Sequence, residues 1–184
     1  TISPKYEIDL IAEVAGRIEF VAPNFANGDF FNAGEKLVQI EPIDYQLSLI
    51  TAKSAVARAE EQLAIERGRV RQARREWREL GDEEANELFL RKPQLKASEA
   101  ALASASAECN RAQIQLDRTT ITAPFNGRIR NTFVHSGQFV SRGTRLATIF
   151  SSEVAEIRLP LRDQQLQWLD LPSASSSLNR QKFP

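Results

Sequence analysis

Apolar residues follow two different rhythms along this chain. From Tyr45 they step alternately by four and three through Leu49, Ala52, Val56, Ala59, Leu63, Glu66, Val70, Ala73, Trp77 and Leu80, and only Glu66 breaks the stripe. A second stripe runs through Leu88, Arg91, Leu95, Ser98, Leu102, Ala105, Cys109, Ala112 and Leu116. A mean spacing of about 3.5 residues keeps one seam of a helix turned toward a partner, which is the pattern of a coiled coil. Residues 44–119 are also rich in Ala, Glu, Arg, Leu and Gln, which lose little freedom in a helix. The segment "LGDEEAN", residues 80–86, parts the stripes, with Gly81 as a C-terminal stop and Asp82 or Asn86 as a cap. The pattern predicts an antiparallel hairpin folded near Gly81, with an arm on the order of 50 Å long. Pro93 has no backbone N–H, so helix two either starts there or bends there; a bend or broken turn is expected.

The flanks alternate with period two instead. "GRIEFVAP" and "GRIRNTFV" carry β-branched and aromatic residues among Gly, Pro and Asn, as short strands joined by tight turns do. They are also copies. Gly28, Phe30, Gly34, Leu37 and Ile40 recur as Gly137, Phe139, Gly143, Leu146 and Ile149, and Gly16-Arg17-Ile18 recurs as Gly127-Arg128-Ile129. One copy offers too little apolar area to stand alone. Two copies face to face would bury Ile18, Phe25, Phe30, Leu37 and Ile40 against Ile121, Ile129, Phe139, Leu146 and Ile149. The repeats therefore read as halves of one small β-domain, with the hairpin inserted at their junction. Residues 151–184 hold one clear strand, "VAEIRLPL", and read as the beginning of a further, incomplete β-domain.

Composition narrows the chemistry. The 184 residues carry 24 basic and 24 acidic side chains, so no net field recruits nucleic acid or an anionic bilayer. No apolar run approaches the roughly 20 residues of a membrane span. No signal peptide remains and methionine is absent, as expected of a mature chain or an excised fragment. One histidine, His135, and one cysteine, Cys109, leave little material for a metal site or a nucleophilic triad. His135 reads as a surface turn residue and Cys109 as a small seam hydrophobe.

The segments "AGRIEFVAP", "GDFFNAGEKLVQIEPIDYQL", "LDRTTITAPFNGRI" and "GQFVSRGTRLATI", in this order around a helical insertion, resemble the periplasmic adaptor (membrane fusion) proteins of tripartite RND-type efflux pumps, the haemolysin-secretion-D-like family. The resemblance spans roughly 8–171. It implies an α+β fold in which a lipoyl-like β-domain, 8–43 and 120–150, is split by a coiled-coil hairpin, 44–119. The start of a β-barrel domain follows at 151–184. It further implies a non-enzymatic subunit of a Gram-negative periplasm, attached to the inner membrane in the full-length protein. That subunit would bridge an inner-membrane transporter, of RND type, and an outer-membrane channel, and would associate with itself into a ring. The Arg-x3-Leu-x6-Ser pattern of many such hairpin tips is not matched: with Leu80 as the leucine, Glu76 and Glu87 stand at the other two places. Leu80, Gly81, Asp82, Glu83, Glu84 and Asn86 are nominated as the partner-binding tip by geometry alone.

Other readings stay open beside this one. An adaptor of an ABC-type exporter or a type I secretion system would use the same parts, and a structural spacer would use the coiled coil alone. Lipoyl and biotinyl carriers share the half-motifs and load a lysine at the hairpin between the halves. Here the insertion replaces that hairpin, so Lys36 and Lys53 are read as solvated lysines and no cofactor is expected. "ERGRVRQARREWRE" holds six arginines between Arg67 and Arg78, interleaved with Glu66, Glu76 and Glu79. It reads as the charged outer face of a coiled coil or a lateral contact with a neighbouring hairpin, without nucleic-acid binding.

Overall fold

In the computed structural model, which describes residues 2–4, 6–80, 90–152 and 155–157, the two repeats fold into short strands that exchange partners. A strand β1 (Ile2–Pro4) precedes the first repeat, which supplies β2 (Glu7–Ile11), β3 (Gly16–Val21), β4 (Phe30–Phe31) and β5 (Lys36–Ile40). Helices α1 (Ile43–Leu80) and α2 (Lys92–Asp117) follow. The second repeat gives β6 (Thr120–Thr122), β7 (Gly127–Thr132), β8 (Phe139–Val140) and β9 (Arg145–Ser151). One sheet orders as β2-β9-β7-β4 and the other as β6-β5-β3-β8. Each sheet thus takes its inner strands from one repeat and its edges from the other, and exchanging the repeats exchanges the sheets.

Reciprocal backbone bonds lock this exchange. Gly28 N–H donates to Ile129 O at 2.7 Å, and its repeat mate Gly137 donates to Ile18 O at 2.8 Å. Gly34 donates to Ala123 O at 2.8 Å, and Gly143 to Ala12 O at 2.7 Å. Gly28 and Gly137 take φ values of 91° and 85°, a region that costs any residue with a Cβ, which is why glycine recurs there.

Ile18, Leu37, Ile40, Ile129, Leu146 and Ile149 form the centre of the sandwich, none more than 1% exposed. Phe25 and Ile121 join them. The expectation for Phe30 and Phe139 was wrong: they are 64% and 68% exposed. Side chains alternate faces along a strand, and in the two-residue strands β4 and β8 the inward places belong to the next residues, Phe31 and Val140. Phe30 is instead covered by the Arg128 guanidinium, 4.4 Å from its ring centre.

The inserted helices pair along the expected seam. From Tyr45 to Trp77, every residue of the first stripe is buried or half-buried, and so is every residue of the second from Arg91 to Leu116. Pro93 corrects a second expectation. It lies in the first turn of α2, after a turn at Leu90 and Arg91, so it starts the helix rather than bending it. The first turn is where the missing N–H has no intrahelical acceptor to lose. The fold is the expected one, a split lipoyl-like sandwich carrying a helical hairpin. Beyond it, β10 (Ala155–Ile157) pairs antiparallel with β1, outside both four-stranded sheets. The sequence reading had not assigned β1. The remainder of 151–184 that was read as β-barrel lies largely outside the described residues. No described helix is long and apolar enough to cross a membrane.

Candidate functional site

The hairpin is the chain's most extended feature, so what it can do depends first on how its base is seated. α1 leaves the sandwich from β5 and α2 returns through Arg118 and Thr119 to β6. Gln39, buried on β5, ties the two crossings together. Its Nε2 donates to Thr119 Oγ1 at 2.9 Å and Thr119 O at 3.2 Å, while Thr120 Oγ1 donates to its Oε1 at 2.9 Å. Thr119 is 1% exposed, and its hydroxyl also donates to Leu116 O at 2.7 Å, closing the last turn of α2. A buried polar cluster with each member bonded is rigid, because any displacement leaves a group unsatisfied in a low dielectric. Tyr45 adds a strut, its hydroxyl donating to Ala15 O at 2.7 Å. Arg118 pairs with Glu13 at 2.7 Å on the other side. Both helix ends are thereby fixed to the sandwich.

Higher along the arm, the two charged interruptions of the stripes meet. Arg91 Nε and Nη2 donate to the two carboxylate oxygens of Glu66 at 2.6 and 3.0 Å. Glu66 is only 6% exposed, and Arg69 approaches the same carboxylate at 3.6 Å. The hydrogen bond from Arg91 holds the Glu66 carboxyl below its ordinary pKa against the opposing effect of desolvation, and the same bond raises that of Arg91. Arg91 reaches the pair from a left-handed backbone, φ 55°, the one non-glycine residue with positive φ among those described. A bidentate guanidinium–carboxylate contact fixes direction as well as distance, so the pair clasps the helices together across the loop.

Of the nominated tip, Leu80 closes α1, while Gly81, Asp82, Glu83, Glu84 and Asn86 lie outside the described residues. Lys36 stands on β5 with its Nζ 5.1 Å from the Phe20 ring centre, and Lys53 is exposed on α1. His135 is exposed in a turn closed by Gln138, and Cys109 is half-buried in the seam. The described residues bring no three His, Cys, Asp or Glu side chains together as a metal site would require.

Sequence reasoning missed three features. The Gln39–Thr119–Thr120 cluster was invisible because polar residues at strand ends are ordinary. The Glu66–Arg91 clasp did leave a signal, one opposite charge in each apolar stripe. The third is an exposed apolar stripe at the base of α1: Ile43, Leu47 and Ile50 step by four and three and are 55%, 57% and 60% exposed. It faces away from the seam that holds Tyr45, Leu49 and Ala52.

With this geometry in place, comparison with known proteins is direct. The family model described as RND MFP, barrel-sandwich hybrid domain, matches residues 7–152. The multidrug export protein AcrE of Escherichia coli K12 is 32% identical over 76% of this chain and 37% of its own length. The multidrug resistance protein MdtA of Proteus mirabilis is 27% identical over 90% of this chain and 40% of its own. This chain therefore spans about two fifths of the curated relatives it matches. Among solved structures, a MacA–MexA chimera containing the Pseudomonas aeruginosa MexA α-hairpin domain superposes with a TM-score of 0.60 at 24% identity, over 82% of this chain and 49% of that one. At that identity the likeness speaks for the fold.

Proposed function

The chain belongs to the RND membrane fusion proteins, and on that premise we propose that it is part of a non-enzymatic periplasmic adaptor that joins an inner-membrane efflux transporter to an outer-membrane channel. The observation that carries this reading is the seating of the arm. A hairpin whose two ends are bonded into a rigid sandwich through Gln39, Thr119 and Tyr45 transmits position along its length, as a bridge must and a flexible tether cannot.

The transporter is of RND type, since the matching family is the RND branch; an ABC partner is the lesser reading. The tip, Leu80 to Glu84 with Asn86, meets the channel. Copies associate side by side into a ring, for which Ile43, Leu47 and Ile50 supply an unpartnered apolar stripe. The cargo is small molecules, in keeping with the multidrug names of the relatives. In the full-length protein the adaptor is attached to the inner membrane.

The test is affinity purification of the full-length protein from lightly cross-linked cells, with partners identified by mass spectrometry. An RND transporter together with an outer-membrane channel is the expected result. An ABC exporter in its place would change the energy source, and the absence of any envelope partner would remove the adaptor role.

A further inference from the structure

Two asparagines of the chain stand directly before glycine, Asn27 before Gly28 and Asn126 before Gly127. Asparagine is a labile residue, most of all here, because a following glycine has no side chain to shield its amide nitrogen. That nitrogen attacks the asparagine side-chain carbonyl carbon and gives up its proton, ammonia leaves, and a succinimide ring closes. Water then opens the ring to aspartate or to isoaspartate. Ring closure has two requirements. The glycine N–H must be released to lose its proton, and the asparagine side chain must be able to swing onto it.

The fold works against both, and it does so across the repeats. Gly28 N–H donates to Ile129 O at 2.7 Å. Asn27 Oδ1 accepts the Thr132 N–H at 2.9 Å and its hydroxyl at 3.3 Å. Asn126 Oδ1 accepts the Ala33 N–H at 2.7 Å. Gly127 is buried in β7, between Phe31 of β4 and Ser151 of β9, with the Phe150 carbonyl packed where a Cβ would stand. Ile129 and Thr132 belong to the second repeat and hold a site of the first. Phe31 and Ala33 belong to the first and hold a site of the second. Parting the halves therefore frees both sites together. Both asparagines are exposed to water in the closed sandwich, so what restrains them is these bonds and not burial.

We propose that Asn27 and Asn126 are spontaneous deamidation sites latched by the interlock of the two repeats, reactive when the sandwich opens and silent while it is closed. Reaction at an open site bears on whether the halves can close again. An isoaspartate routes the main chain through the former side chain and adds one carbon before Gly28, which displaces the Gly28 N–H from Ile129. An aspartate keeps the acceptor oxygen for Thr132 but sets a new carboxylate two residues from Asp29, where like charges repel. The modification turns a transient opening into a lasting one and marks chains whose halves have spent time apart.

The full-length protein is incubated at mildly alkaline pH in guanidinium chloride and, in parallel, in sodium chloride of the same concentration. Tryptic peptides 18–36 and 119–128, each holding one site, are then followed by mass spectrometry for the mass gain of amide hydrolysis. Fragmentation separates Asn27 from Asn24 and Asn32 in the first peptide. In sodium chloride both sites should react at least about tenfold more slowly than in denaturant, since only the open fraction reacts. Ile149→Ala, which leaves a cavity at the centre of the sandwich, should speed both sites in sodium chloride about tenfold or more. If that variant does not fold, the parent's rates in the two solutions decide by themselves. Equal rates in salt and denaturant, or no acceleration in a folded Ile149→Ala, overturns the latch. An asparagine of either pair that stays an amide in denaturant overturns the assignment of the sites.

Discussion

A carboxylate 6% exposed inside a helical seam needs a cation, and Glu66 takes one from the other helix. Because the Arg91 bond lowers its pKa in the fold, Glu66 contributes stability above the ordinary glutamate range, about pH 4.3. That contribution is lost as pH falls from there through the depressed value. Glu66→Gln should therefore lower the helical melting midpoint at neutral pH, and the gap between variant and parent should close on acidification. Arg91→Ala should cost more than Arg69→Ala, whose guanidinium stands farther off at 3.6 Å and is mostly exposed. Thermal melts followed by far-ultraviolet circular dichroism across pH check both. The repeat glycines divide in a similar way. Gly137 has open space around its absent Cβ, so Gly137→Ala should cost only the strain of its φ, about 1–2 kcal/mol. At Gly127 a Cβ would drive into the backbone carbonyl of Phe150, and Gly127→Ala should be clearly the worse of the two in urea titrations.

At the scale of elements, the seam was legible because a 4-3 stripe has one geometric meaning, and its register survives from Tyr45 to Trp77 and from Arg91 to Leu116. The start of α2 was not legible. Proline announces a disturbance, but its chemistry is equally served by a bend inside a helix or by a place in the first turn. The two placements make different predictions. In the first turn, Pro93→Ala should change stability little, within about 0.5 kcal/mol. At an interior bend, relief of the lost bond and the ring clash would raise it by about 3 kcal/mol. The joint was illegible for another reason: Gln39 and Thr119 lie 80 residues apart, and nothing local marks them as partners. Tyr45 stood in the seam register, and its hydroxyl bond to Ala15 was not foreseeable from spacing. Tyr45→Phe should destabilise the chain by about 1 kcal/mol, read by the same urea titration.

At the scale of the molecule, the duplicated motif disclosed that two halves exist, while the way they interlock came only from the sheets. The Gly28–Ile129 and Gly137–Ile18 bonds each cross between repeats, so each half relies on the other to pair its turn glycines. Peptides covering 6–42 and 118–152 should each be unfolded alone and should yield β-structure when mixed. A cooperative melt from either alone would contradict the split sandwich. Phe30 and Phe139 misled the sequence reading because large aromatics in a repeat suggest core, whereas the alternation within β4 and β8 turns them outward. An arm that is clasped at Glu66 and Arg91 and bonded at its base projects from the sandwich as one unit, and the proposed bridging depends on that rigidity. The most direct test places a photoreactive residue at Glu84 or at Phe139 of the full-length protein in its native envelope. Irradiation should yield an outer-membrane adduct from the Glu84 position and none from Phe139. If Glu84 captures no outer-membrane protein, or Phe139 captures the same one, the arm does not bridge the envelope.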